Sequence, residues 1–180
     1  MTQDRYDTVA VVLHWTIAAL IVVALALGLT VDNFPKTMTG AVINIHVLMG
    51  LAVLVLSVVR LVWRSAHPAP ELPQSLGPLF RKASQAAHIG LYFLMIAVPL
   101  IGVPTLLYRG RGLDLGVMQF ASPFARTPEI YRPLTEAHEI AAFALIGLAV
   151  AHALAALYHQ YVRRDDVLLR MLPALRRRGG

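Results

Sequence analysis

Long apolar runs alternate with short polar segments along the whole chain. Each run is long enough to cross a hydrocarbon core about 30 Å thick, while prolines and charged residues concentrate in the segments between them. The pattern predicts an all-α integral membrane protein, with a bundle of four transmembrane helices in a single domain that covers 1–180. The predicted helices are about 9–30, 41–63, 80–107 and 135–162.

The composition agrees with this class and excludes several kinds of function. Of the 180 residues, 57% are hydrophobic and 14% are charged, and the mean hydropathy of +0.63 exceeds that of soluble domains. The chain has no cysteine, which excludes disulfides, thiolate metal sites, iron–sulfur clusters and covalently attached heme. Any heme in this protein is therefore held by its axial ligands and by packing.

The net charge of +6 does not indicate a nucleic-acid partner, because the basic residues flank the membrane spans. Of the 16 lysines and arginines, 11 fall on the side of the two termini and five on the other side. Basic loops stay preferentially in the cytoplasm, so both termini are expected there. The tail at 163–180 mixes apolar and basic residues and is expected to lie on the anionic lipid of the cytoplasmic leaflet.

The fourth predicted helix carries two histidines fourteen residues apart, His138 and His152. Fourteen residues turn a helix through about 1400°, within roughly 40° of four circles, and rise about 21 Å. The two side chains therefore share one face at two depths. They cannot reach one metal ion together, but two stacked cofactors can each take one of them. The fourth helix is therefore predicted to line one side of a path along which electrons pass between two hemes.

Each of these histidines has a partner at its own depth on another helix. His14 in the first helix lies toward the side of the termini, as His152 does, and His46 in the second helix lies toward the outer side, as His138 does. Two neutral imidazoles fill both axial positions of a heme iron, which suits electron transfer. The predicted iron ligands are His46 with His138 for an outer heme and His14 with His152 for an inner heme.

Two other histidines are candidates for supporting roles. His88 lies at about the depth of His14 and is a rival to His152 as inner ligand; otherwise it bonds a heme propionate or shapes a quinone pocket. His159, close to the inner membrane edge, is either an interfacial histidine or the group that exchanges the proton needed for quinone reduction.

Arginines and glycines leave similar alternatives open. Arg109 and Arg111 follow the third helix and are either solvated or positioned to clamp propionates or draw in an anion. Gly28, Gly50 and Gly147 either let a porphyrin approach the backbone or serve as ordinary helix contacts.

Short motifs along nearly the whole chain, specific in their order and spacing, resemble those of the bacterial cytochrome b561 family. They are LHW at 13–15, IHV at 45–47, AHIGLYFLMIAVPLIG at 87–102, LYRGRG at 107–112, AHE at 137–139 and DDVLLRMLP at 165–173. The resemblance implies a four-helix protein of the bacterial inner membrane with two b-type hemes, similar to the cytochrome b subunits of hydrogenases. The four predicted ligand histidines match the histidines that bind heme in that family.

The resemblance also implies a reaction, because some members of the family look like superoxide oxidases that pass electrons from periplasmic superoxide to ubiquinone. Arg109 and Arg111 would then attract the anion, and His159 would serve the quinone as proton partner. The first alternative is an electron-transfer subunit that links the quinone pool to a separate redox protein. The second is a structural or regulatory membrane protein that binds no heme.

Overall fold

A computed structural model describes residues 6–68, 77–165 and 167–172 as a bundle of four long helices. The helices are α1 (Thr8–Thr30), α2 (Lys36–Ala66), α3 (Pro78–Tyr108) and α4 (Pro128–Tyr158). Each helix is long and apolar enough to cross a membrane. The prediction of a four-span, all-α membrane protein is confirmed.

Two helices begin earlier than the apolar runs predicted. Helix α2 starts at Lys36 rather than at residue 41, and α4 starts at Pro128 rather than at residue 135. The length of an apolar run underestimates the length of a spanning helix when the polar first turns of that helix extend beyond the hydrocarbon core. Helix α3 continues through Pro99 and Pro104 to Tyr108, so neither proline ends it. Neighbouring helices allow a transmembrane helix to tolerate such interruptions.

Contacts at one end of the bundle show that the helices run antiparallel. The indole N–H of Trp63, near the end of α2, donates to Oδ1 of Asp7 at 3.1 Å, and the same oxygen caps the start of α1. Trp15 in α1 donates to the carbonyl of Met171, beyond α4, at 2.8 Å. Asp7 and Met171, near the two limits of the described residues, thus lie at this end, which is called the inner end, and the opposite end is the outer end.

The tail folds back toward α1 through the contact to Met171. Its described part contains a π-helical turn at His159–Arg163 and a 3₁₀ turn at Leu168–Arg170. The predicted contact of the tail with lipid also depends on residues 166 and 173–180, which lie outside the described residues.

A small buried core lies between the two levels of histidines. It consists of one residue from each helix: Ile17, Val53, Met95 and Leu145. Leu145 is seven residues from His138 and seven from His152, about 10 Å of helix rise from each. This apolar layer therefore separates the outer level from the inner one.

The outward faces of the helices are apolar and uncovered. Val22, Val55 and Leu154, on three different helices, are 64%, 58% and 59% exposed. Scattered exposed side chains are normal in soluble proteins, but a continuous apolar exterior on spanning helices indicates contact with lipid.

A short hairpin between α3 and α4 is fastened to the outer end of α2. Strand β1 (Leu113–Asp114) pairs antiparallel with β2 (Gln119–Phe120). The side-chain amide of Asn44 donates to the carbonyl of Asp114 at 2.7 Å and accepts from its N–H at 3.0 Å. The segment at 108–133 is therefore attached to the helices beside the predicted outer heme.

Candidate cofactor sites

His46 of α2 and His138 of α4 face each other at the outer end of the bundle. Their ring centres are 6.0 Å apart and their planes cross at 76°. Each Nδ1 donates to a backbone carbonyl of another helix, that of Ala24 at 2.8 Å and that of Val98 at 3.0 Å. Because a carbonyl can only accept, Nδ1 carries the proton in both rings, and Nε2 is free to bind a metal.

A cavity of about 470 Å³ surrounds this outer pair. Its volume lies within the range of about 300 to 1,000 Å³ that is common for cofactor sites, and its lining is mostly apolar. The residues that line it include His46, His138, Arg109, Arg111 and Thr135. Two of the three predicted supporting glycines, Gly28 and Gly50, line it as well, together with Gly102.

Arg109 offers a polar group for an anionic part of a cofactor. Its Nη2 donates to the hydroxyl of Thr135 at 3.0 Å, and its guanidinium lies 5.2 Å from the ring centre of Tyr131. Its Nε is buried without a hydrogen-bond partner among the described residues. A buried donor without a partner is costly, and a carboxylate such as a heme propionate would satisfy it.

The inner end brings together three histidines. The ring centres of His14 and His152 are 6.4 Å apart with their planes at 79°, and His88 lies 5.2 Å from His152. Nδ1 of His88 donates to the carbonyl of Ser84, one turn earlier in its own helix, at 2.7 Å. His14 and His152 make no hydrogen bond through their rings to the described part of the chain.

The spacing of both predicted pairs fits a heme iron with two histidine ligands. A metal-bound nitrogen lies about 2 Å from the metal and about 1 Å from its own ring centre, so ligands on opposite sides of one iron have centres about 6 Å apart. The distances of 6.0 and 6.4 Å match this arrangement. The 5.2 Å between the ring centres of His88 and His152 leaves too little room for an iron between those two rings.

His159 lies at the inner end of α4, apart from the outer cavity. Its Nδ1 is 2.5 Å from Oδ2 of Asp165, and both side chains are mostly buried. The rings of Phe80 and Tyr158 meet it edge-on, with centres 6.3 and 5.9 Å away. No local pattern in the sequence marks this carboxylate partner, because Asp165 approaches His159 only through the turn that follows α4.

Polar residues at the inner end were also missed. Nε of Arg60 donates to the hydroxyl of Tyr92 at 3.1 Å. Ser57 is completely buried, and its hydroxyl has no partner in the described part of the chain. A lone serine inside an apolar run was the available signal for this position.

Comparisons with known proteins agree along almost the full length of the chain. The family model described as prokaryotic cytochrome b561 matches residues 5–174. A probable superoxide oxidase CybB of Yersinia pestis is 30% identical over 97% of this chain and 99% of its own. Cytochrome b561 homolog 1 of Escherichia coli K12 is 30% identical over 95% of this chain and 98% of its own. Cytochrome b562 of Cereibacter sphaeroides is 32% identical over 96% of this chain and 98% of its own.

Proposed function

We propose that this chain, which belongs to the prokaryotic cytochrome b561 family of electron-transferring membrane proteins, binds two b-type hemes in its helix bundle. His46 and His138 would hold the outer heme, and His14 and His152 would hold the inner heme. The observation that carries the proposal is the pair of facing imidazoles at each of two depths, with ring centres 6.0 and 6.4 Å apart.

Each bound heme would supply a centre that gains and loses one electron reversibly. Two histidines would hold each iron, and this ligation would favour electron transfer over oxygen binding. Arg109 supplies a donor for a propionate of the outer heme. The core around Leu145 keeps water out of the space between the two levels.

For the reaction, we propose oxidation of superoxide at the outer end coupled to reduction of ubiquinone in the bacterial inner membrane, with both termini in the cytoplasm. Two superoxide anions give two molecules of dioxygen and two electrons, and ubiquinone takes up those electrons with two protons to form ubiquinol. Arg109 and Arg111, which line the outer cavity, support an anionic donor there. The similarity to a probable superoxide oxidase supports the same donor.

We place the quinone near the inner heme, with His159 as its proton partner. The support is the position of His159 at the inner end and its contact with Asp165. A histidine paired with a carboxylate can pass protons between a bound substrate and water. We assign His88 as a neighbour of this site rather than as an iron ligand, because the spacing of His14 and His152 fits an iron and His88 lies beside that pair.

The proposal is tested by the heme content and redox behaviour of the purified protein. We expect two low-spin b hemes per chain that are reduced by superoxide and reoxidised by a soluble ubiquinone analogue. Two hemes that do not respond to superoxide would instead assign the protein as an electron-transfer subunit for a separate redox partner. A folded, colourless protein would reject heme binding altogether.

Replacing Arg111 with glutamine should slow reduction by superoxide without changing heme content. Arg111 is exposed at the cavity lining, and a basic surface raises the association rate of an anion by about 10- to 1000-fold in total. We expect R111Q to lower the second-order rate by about threefold to tenfold at low ionic strength. The effect should shrink as salt is added, because salt screens exposed charges.

The control for this variant is Lys36→Gln, which removes one exposed charge from the outer end of α2. Lys36 does not line the cavity. Stopped-flow measurements of heme reduction on both variants should find the larger loss for R111Q. Equal rates for the two variants would contradict local steering by Arg111.

A further inference from the structure

The two outer histidines rest on supports of the same construction, each on a different helix. Every support, called a socket below, consists of a backbone carbonyl that accepts from Nδ1 and a glycine four residues, about one turn, later. The socket beneath His46 is Ala24 with Gly28 on α1, and the socket beneath His138 is Val98 with Gly102 on α3.

The glycines are needed because the rings lie directly over them. A Cβ added at Gly28 would lie 3.2 Å from Cε1 and 3.4 Å from Nδ1 of His46. A Cβ added at Gly102 would lie 3.0 Å from Cε1 and 3.2 Å from Nδ1 of His138. The separations of 3.0 and 3.2 Å are tighter than ordinary carbon contacts, so each ring must shift by a few tenths of an ångström to admit a side chain.

The inner pair has no such support within the described residues. Neither His14 nor His152 donates a ring hydrogen bond there, and no described glycine has its Cβ position against either ring. The outer and inner ligands therefore have the same chemistry at the iron and different chemistry at Nδ1. Because only the outer histidines have these hydrogen bonds, the bonds are expected to affect the properties of the outer heme only.

We propose that Gly28 and Gly102 are positioning residues for the outer heme, because they seat His46 and His138 on carbonyl acceptors that strengthen both imidazoles as ligands. A hydrogen bond from Nδ1 raises the basicity of a metal-bound imidazole and fixes its orientation. A more basic ligand stabilises ferric over ferrous iron, which lowers the midpoint potential. The sockets thus hold the outer heme at a lower potential than its ligands alone would set. This inference rests on the proposed heme ligation.

The test compares Gly28→Ala and Gly102→Ala with the wild type in a potentiometric titration followed by EPR. We expect each variant to raise the midpoint of the outer heme by about 59 mV, a tenfold change in its one-electron equilibrium, and to move its low-spin signal. The inner heme should keep its midpoint and its signal. Gly40→Ala on α2 is the matched control, because Gly40 is exposed and a Cβ there meets nothing within 4 Å.

The other possible results of this experiment also either support or reject the role of the two sockets. Loss of the outer heme alone in either variant supports the sockets, because the ring then fails to reach its ligating position. An unchanged outer midpoint in both variants, or an equal shift of both hemes, rejects them. If neither variant folds, proton ENDOR of the ferric wild type decides: stronger Nδ1 hydrogen bonds on the outer ligands support the sockets, and equal bonds reject them.

These results separate this inference from the proposed function. A wild-type protein without heme rejects both at once. A wild type with two hemes, together with glycine variants that leave the outer heme unchanged, rejects the sockets and leaves the proposed ligands in place.

Discussion

Replacing His138 with alanine should lower the heme content from two hemes per chain to one, with the loss confined to the outer heme. Without cysteine there is no covalent attachment, so this heme depends on its two axial ligands and on packing in the outer cavity. The inner pair lies about 21 Å away along α4, behind the core layer that contains Leu145. The inner heme should therefore keep its spectrum.

The measurement for His138→Ala is the pyridine hemochrome content per chain, with the reduced-minus-oxidised spectrum of the heme that remains. Ile140→Ala is the matched control, since Ile140 is 64% exposed on the same helix and does not line the cavity. Two retained hemes would show that His138 is not a ligand. Loss of both hemes from a folded protein would show that the two levels do not bind independently.

The second large effect concerns the inner end, where His152→Ala should remove the inner heme and His88→Ala should leave both hemes bound. The 6.4 Å between the ring centres of His14 and His152 accommodates an iron, whereas the 5.2 Å between those of His88 and His152 does not. Because His88 borders the site, its replacement should shift the inner midpoint potential rather than the heme content.

Heme content and EPR spectra of the two variants distinguish these roles. The outer signal should be unchanged in both, which makes it an internal reference for each sample. Loss of a heme in His88→Ala but not in His152→Ala would reverse the assignment and make His88 the inner ligand. His159→Ala is a useful third sample, since it should retain both hemes and change only the reaction with quinone.

Several features of this protein follow from local sequence alone. The number and class of the helices depend on the length and apolarity of each run, which need no knowledge of the neighbouring helices. The common face of His138 and His152 depends only on the helical period. The division of the other histidines into two depths follows from their distance to the ends of their helices, because consecutive spans must alternate in direction.

Other features of the candidate site depend on how the helices are rotated and packed against one another. The sequence placed both His88 and His152 at the inner level. Only the folded structure gives the distances between the ring centres, 6.4 Å from His14 to His152 and 5.2 Å from His88 to His152. Gly102 was overlooked because its importance lies in a contact with His138, a residue of another helix. The attachment of Asp114 to Asn44 across 70 residues has no local signal either.

Sequence by itself therefore determined that this is a four-span membrane protein with histidines at two depths, since apolar length and helical period are properties of a single segment. The tertiary structure decided which imidazoles face each other, which carbonyls accept from them and which arginine donor is left for a cofactor. Those features depend on the distance and rotation between helices. Backbone carbonyls in particular are identical at every position, so no residue type marks the two that seat the outer histidines.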